Sequence, residues 1–152
     1  MPRTLTLDLP DLAATHALAA RLAALLRPGD AVLLEGPLGA GKSEFARAVL
    51  RAAAADPGLE VPSPTFTLVQ SYDLPAGPAH HFDLYRLDGP EGLDELGWEE
   101  AREGIVLVEW PERLGAERPD GALTIALEPL ADENARRVRL SGWDARIEAL
   151  AA

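Results

Sequence analysis

The sequence predicts a three-layer α/β domain: a mixed sheet with parallel central strands, antiparallel hairpins flanking them, and helices on the faces. Three observations point there. Two short continuous apolar runs, Ala31-Val32-Leu33-Leu34 and Ile105-Val106-Leu107-Val108, have the pattern of strands covered on both faces. Two pairs of alternating segments, 65–72 with 80–87 and 122–128 with 136–141, read as hairpins. A glycine-rich octet joins the first apolar run to an amphipathic helix, an arrangement of α/β sheets.

Leu5, Leu7 and Leu9 alternate with polar residues, so 4–9 is a half-buried edge strand. Asp11 opens a helix whose apolar stripe runs through Leu12, Leu18, Leu22 and Leu25, and Pro28-Gly29 stops it. After the octet, a helix beginning at Lys42 carries Phe45, Val49 and Ala53 on one stripe and ends at Asp56-Pro57-Gly58. The first hairpin turns through the Pro- and Gly-containing stretch 73–79. Residues 90–103 predict an acidic helix with Leu93 and Leu96 inward, and Glu109-Trp110-Pro111 closes the second apolar run. The second hairpin turns through 129–135, and Trp143, Ile147 and Leu150 mark a short terminal helix. With no internal repeat and no linker, 1–152 reads as one domain.

Composition narrows the function. A chain of 152 residues can bury roughly 70% of its unfolded surface around one core. Hydrophobic residues make up 47% and charged residues 26%, which excludes a disordered chain. No apolar run approaches the ~18–20 residues of a membrane span and the N-terminus lacks a secretory pattern, so the expectation is a cytoplasmic protein with no membrane partner. Zero cysteines exclude disulfides, thiolate metal sites and thiol nucleophiles. Twenty-five acidic against fourteen basic residues give a net charge of −11, which argues against direct adhesion to nucleic acid. Among the basic residues Lys42 is the only lysine, the rest being arginines.

The octet Gly36-Pro37-Leu38-Gly39-Ala40-Gly41-Lys42-Ser43 matches the phosphate-binding loop G-x-x-x-x-G-K-S/T in its strand–loop–helix context. By composition alone the fixed positions coincide roughly once in two hundred chains of this length. Glycines let successive N–H groups converge on one anion, and the helix start adds its dipole. Lys42 reaches the terminal phosphates as a compact charge, which explains why a lysine survives there, and the Ser43 hydroxyl can ligate Mg²⁺. The candidate nucleotide-holding residues are therefore Gly36, Leu38, Gly39, Ala40, Gly41, Lys42, Ser43 and Glu44, with Ser43 also a metal ligand.

A second acid is needed for metal or water. Glu109 ends the other buried strand, at the side of the sheet where ligands collect; the alternative is a solvated strand terminus. Asp83 shares one strand face with His81 and Tyr85, opposite Phe82 and Leu84, a pattern equally that of a functional face or of a solvent face. Ser63-Pro64-Thr65 offers hydroxyls that could sense a γ-phosphate, or ordinary turn chemistry. His80 and His81 lack a third ligand at metal-binding spacing. Arg136, Arg137 and Arg139 form the only basic cluster, read as the polar edge of a hairpin, with contact to a partner or RNA as the other reading.

Together with the loop, Ser63-Pro64-Thr65-Phe66-Thr67-Leu68-Val69, His81-Phe82-Asp83-Leu84-Tyr85-Arg86-Leu87 and Val108-Glu109-Trp110-Pro111 give the chain a specific likeness, spanning 36–111. It resembles the TsaE (YjeE) family, the bacterial ATPases of tRNA threonylcarbamoyladenosine biosynthesis. The resemblance implies a P-loop NTPase-like fold and Mg²⁺-dependent ATP hydrolysis. It also implies partnership with the threonylcarbamoyl-transferase subunit (TsaD-like) and its inactive paralogue (TsaB-like), with tRNA met only through those partners. By the same resemblance Lys42 and Ser43 fall on the nucleotide and Mg²⁺ positions, Thr65 on a switch-like loop, Asp83 on the acid of the His-x-Asp-Leu-Tyr motif, and Glu109 on the Mg²⁺-side acid. One departure is visible: the family commonly has Thr-Thr after the lysine, whereas Ser43-Glu44 keeps the hydroxyl but adds a carboxylate near phosphate. The departure predicts weaker binding or altered metal occupancy, which a nucleotide titration of Glu44→Thr would check.

Other readings differ in testable ways. A small-molecule kinase shares the loop, yet the chain has no arginine-rich lid and little room for a second substrate domain. A nucleotide-gated binding module would hardly hydrolyse even with partners. A guanine-specific GTPase is disfavoured, because the Asn-Lys-x-Asp signature is absent: Asn134 and Lys42 are the only Asn and Lys.

Overall fold

The computed structural model describes residues 3–64 and 66–151. Among the described residues seven strands form one sheet: β1 (Thr4–Leu9), β2 (Ala31–Glu35), β3 (Val69–Leu74), β4 (Gly77–Asp83), β5 (Ile105–Glu109), β6 (Leu123–Pro129) and β7 (Arg136–Ser141), in the spatial order β1-β7-β6-β2-β5-β4-β3. The four inner strands β6, β2, β5 and β4 run parallel, while β7, β1 and β3 are antiparallel to their neighbours. Both continuous apolar runs lie side by side at the centre, with Ala31 opposite Val106 and Leu34 opposite Glu109. That is the expected consequence of burial on both faces.

One face carries two regular helices, α1 (Leu12–Leu25) and α2 (Lys42–Ala54). The Asp11 carboxylate accepts the Ala14 N–H at 2.8 Å and caps α1. The buried stripe of α1 is Thr15, Leu18, Ala19 and Leu22, whereas Leu12 stands at the surface. From α2, Phe45, Ala46, Val49 and Leu50 close over Val32, Leu34, Ile105 and Leu107. Leu33, Val106, Val108 and Phe82 point to the opposite face, where Phe82 meets Trp98 edge-on at 5.2 Å.

That second face is covered less regularly than the sequence predicts. In place of a continuous helix over 90–103 there are 3₁₀ turns at Pro90–Gly92 and Asp94–Leu96, then one α-turn, α3 (Trp98–Ala101). Gly97 adopts φ 74°, which breaks the helix, although Leu93 is buried as expected. The first hairpin is also shifted. Residues 66–68 are a turn, with Leu68 at φ 69°, and β3 and β4 meet across Pro75-Ala76 instead of a seven-residue connector. At its far end the chain leaves the sheet after Asp83, so Tyr85 sits in a turn and not on the strand face shared by His81 and Asp83. The terminal segment is a 3₁₀ turn, Ile147–Ala151, with Trp143, Ile147 and Leu150 buried against α1 and the sheet. No helix is long and apolar enough to cross a membrane among the described residues.

Candidate functional site

Parallel strands send their carboxyl ends to one side, and the loops after β2, β4 and β5 meet there. Among the described residues every buried ionisable side chain lies at that side: Lys42, His81, Asp83 and Glu109, exposed by 5%, 1%, 4% and 2%. Burying charge costs free energy unless partners replace the lost water, so four such groups in one place require a reason beyond packing.

Register and face explain how they meet. Asp83 and Glu109 are direct partners across β4 and β5, and His81 lies opposite Leu107, on the face that α2 covers. Glu109 is gripped from two sides. Its Oε1 accepts the Ser43 hydroxyl at 2.8 Å, and its Oε2 lies 2.6 Å from His81 Nε2. The remaining ring nitrogen of His81, Nδ1, is buried and finds no hydrogen-bond partner among the described residues. The Asp83 carboxylate accepts the Tyr85 N–H at 3.0 Å, turning the chain out of β4. The solvated-terminus reading of Glu109 and the solvent-face reading of Asp83 both fail on this burial.

The octet wraps the end of β2. Gly36 has φ 146°, and a Cβ there would come 2.6 Å from the Leu127 carbonyl oxygen, so only glycine passes. The Lys42 ammonium lies inside the loop, donating to the Gly36 carbonyl at 2.5 Å and the Pro37 carbonyl at 3.1 Å, with the Trp110 ring 3.7 Å away. Trp110 takes φ 59° directly after β5 and also stacks obliquely on Tyr85 at 4.9 Å. Burial pushes the Lys42 ammonium below the ordinary lysine value, while the carboxylates of Glu109, Glu112 and Asp83 oppose that shift. No side chain caps the start of α2 among the described residues, so its first N–H groups face the cleft.

The resulting cleft has a volume of about 390 Å³ and is lined by the loop from Leu38 to Glu44, by Asp83, Tyr85 and Arg86, and by Glu109, Trp110 and Arg136. A larger hollow of about 660 Å³ lies along the outer side of α2 and shares only Glu44 with it. No group of three or more His, Cys, Asp or Glu is arranged to hold a metal among the described residues. A divalent cation here would rely on Ser43, Glu109 and the oxygens of its own ligand, the way Mg²⁺ is ordinarily held beside phosphates. Thus Gly36, Leu38, Gly39, Ala40, Gly41, Lys42, Ser43, Glu44, Asp83 and Glu109 converge. Thr65 lies outside the described residues, between buried Pro64 and exposed Phe66.

Three contacts were not legible as such in the sequence. His81 is tied to Glu109, Trp110 to Lys42, and the Arg136 guanidinium to the loop carbonyl of Ala40 at 2.8 Å. The basic cluster is in fact split by the sheet: Arg136 shares the helix-covered face with Val138 and Leu140, while Arg137 is exposed and pairs with Asp8 at 2.8 Å. Period-two alternation alone could have separated them.

Comparison with known proteins agrees with this geometry. Residues 9–138 match the family model of "Threonylcarbamoyl adenosine biosynthesis protein TsaE". The tRNA threonylcarbamoyladenosine biosynthesis protein TsaE of Rickettsia felis is 42% identical over 123 residues, covering 80% of this chain and 71% of that protein. The Aquifex aeolicus protein of the same name is 39% identical over 127 residues, covering 83% and 87%. In three dimensions the chain is similar to Bacillus subtilis YdiB, with a TM-score of 0.73, 30% identity and coverage of 99% and 93%. The fold is that of the P-loop NTPases, and the chain belongs to the TsaE family, whose place is in tRNA threonylcarbamoyladenosine biosynthesis.

Proposed function

We propose that this chain binds Mg-ATP in the cleft at the carboxyl ends of β2, β4 and β5 and hydrolyses it in support of threonylcarbamoyl transfer to the adenosine beside a tRNA anticodon. One observation carries the reading: the buried ionisable residues gather beside the phosphate-loop motif and nowhere else among the described residues.

The loop N–H groups and the start of α2 receive the phosphates, and the Lys42 ammonium turns from the Gly36 and Pro37 carbonyls to the terminal phosphate oxygens. Ser43 and Glu109, a hydroxyl and a carboxylate 2.8 Å apart, are the oxygen donors that suit Mg²⁺. When bound, the ion neutralises charge developing on the phosphate oxygens. His81 holds the second oxygen of Glu109 and so fixes the carboxylate plane. Asp83, one strand over, is the carboxylate available to orient the attacking water. Thr65 belongs to a switch-like loop that senses the terminal phosphate, a role that rests on its motif in the sequence.

Hydrolysis depends on partners, a threonylcarbamoyl-transferase subunit and its paralogue. Exposed apolar side chains beside the site, Leu38 in the loop and Phe66 stacked on Arg86, support docking there. The net charge of −11 supports tRNA contact through those partners and not through this chain, and such a role belongs in the cytoplasm. The test is ATP turnover by the chain alone, with the two partners, and with partners plus tRNA. Slow turnover alone, raised by the partners, is expected. Turnover that requires a small-molecule acceptor, or none with the partners present, would overturn the reading.

A further inference from the structure

Arg136 belongs to no phosphate-loop motif and lies 94 positions beyond Lys42, yet its guanidinium rests against the loop. As the first residue of β7 it points to the face that carries α1 and α2. Its Nε–H donates to the Ala40 carbonyl at 2.8 Å. One terminal nitrogen donates to the Glu133 and Ala135 carbonyls at 2.5 and 2.9 Å. That turn is closed in its own right by Ala135 N–H to the Asp132 carbonyl at 3.0 Å. The planar fork thus bridges two backbone segments far apart in the chain, and it leans on Gly41, where a Cβ would come 3.2 Å from Nε. Gly41 has φ 100° and immediately precedes α2.

The chemistry of an anion cradle gives this contact its meaning. N–H groups can point at a phosphate only if the carbonyls between them point away, because an inward carbonyl oxygen would repel the anion. Arg136 takes the Ala40 carbonyl as its acceptor beside Gly41, at the end of the loop. Its permanent charge and fixed fork do this in a way that a single ammonium, with one compact head, cannot reproduce across both segments.

We propose that Arg136 is a positioning residue of the nucleotide site: it holds the Ala40 carbonyl out of the cradle and anchors the loop to the β6–β7 turn. The proposal rests on the assignment of this cleft to a nucleotide. Its test compares the unaltered chain with Arg136→Gln, Arg136→Lys, Lys42→Ala and, as a surface control, Arg137→Gln. ATP and ADP affinities are measured by calorimetry with Mg²⁺, amide hydrogen exchange is followed over 38–44 without nucleotide, and melting temperature reports the fold. Arg136→Gln is expected to weaken both nucleotides alike, roughly tenfold, as loss of a charge-assisted hydrogen bond would. It should also speed exchange in the loop while the rest of the chain stays protected. Arg136→Lys should recover only a minor part, and Arg137→Gln should match the unaltered chain. Unchanged affinity in Arg136→Gln with lost affinity in Lys42→Ala overturns the clamp and leaves the nucleotide site standing. Weakened affinity with unchanged loop exchange, or full rescue by lysine, also overturns it, since charge alone would then suffice. Absence of nucleotide binding by the unaltered chain overturns both readings.

Discussion

Buried and exposed positions of this molecule handle charge in opposite ways. At the cleft, Lys42, His81, Asp83 and Glu109 are withdrawn from water, and Glu109 is held by short contacts to His81 and Ser43. At exposed positions, Asp8 on β1 and Arg137 on β7 pair across neighbouring strands, and Arg118 meets Glu35 at the end of β2 with both half-exposed. Exposed pairs of this kind contribute little, because water and salt screen them and side-chain entropy opposes them. The buried set costs desolvation that a purely apolar sheet end would avoid. A chain retains such a cost where chemistry requires it, so the contrast separates residues kept for function from residues that merely solubilise an edge.

The contrast is broken most sharply at Glu109. Glu109→Gln should lower partner-stimulated hydrolysis by about 10²–10³-fold while changing nucleotide affinity far less, since a metal- and water-facing carboxylate acts mainly in the transition state. Parallel measurement of kcat and nucleotide Kd checks it; equal losses in both would assign Glu109 to binding alone. Away from both sets of charges lies the apolar middle of the sheet. Leu33→Ala, at a fully buried site, should cost about 2–5 kcal/mol in denaturant unfolding and leave the nucleotide Kd of the folded fraction unchanged.

The apolar middle was the most legible part of the sequence, and the reason is physical. Ala31 to Leu34 and Ile105 to Val108 leave few alternatives to a strand buried on both faces, and the octet dictates a loop and a helix start directly after the first of them. The covering layer over 90–103 was less legible, because acidic composition and two inward leucines suit a helix, while Gly97 at φ 74° breaks it into separate turns. Asp83 was ambiguous for a similar reason. Alternation placed it on a face, but whether α2 or water covered that face is a tertiary fact. Contacts between distant segments, such as Arg136 with Ala40, leave no trace in local pattern beyond the face that each residue takes.

Smaller effects sharpen the contrast outside the cleft. His80, beside the Ser71 hydroxyl at 2.8 Å, is held below the ordinary imidazole value by burial. The unfolded chain therefore takes up a proton at about pH 6.5 that the folded chain resists, so stability falls as pH drops below that value towards the folded one. His80→Gln should flatten this part of the pH profile of melting temperature; an unaltered profile would remove His80 from it. Smallest of all, Arg137→Ala should lower melting temperature only slightly near neutral pH, because the pair it breaks is exposed. Asp8 is held below the usual carboxylate value by its hydrogen bond to Arg137. Any stability from the pair is therefore present above about pH 3.8 and lost as pH falls below it, so the small difference between the two chains should vanish in an acid titration.

The nucleotide site itself is tested most directly by calorimetric titration of Mg-ATP into the unaltered chain and into Lys42→Ala, with melting temperatures measured alongside. The buried ammonium is expected to account for at least about 10²-fold in affinity, a loss of roughly 3 kcal/mol for a desolvated charge-assisted contact. Its removal should not lower the melting temperature, since its burial is a cost to the fold. Equal affinity in the two chains would contradict the assignment of this cleft to a nucleoside triphosphate.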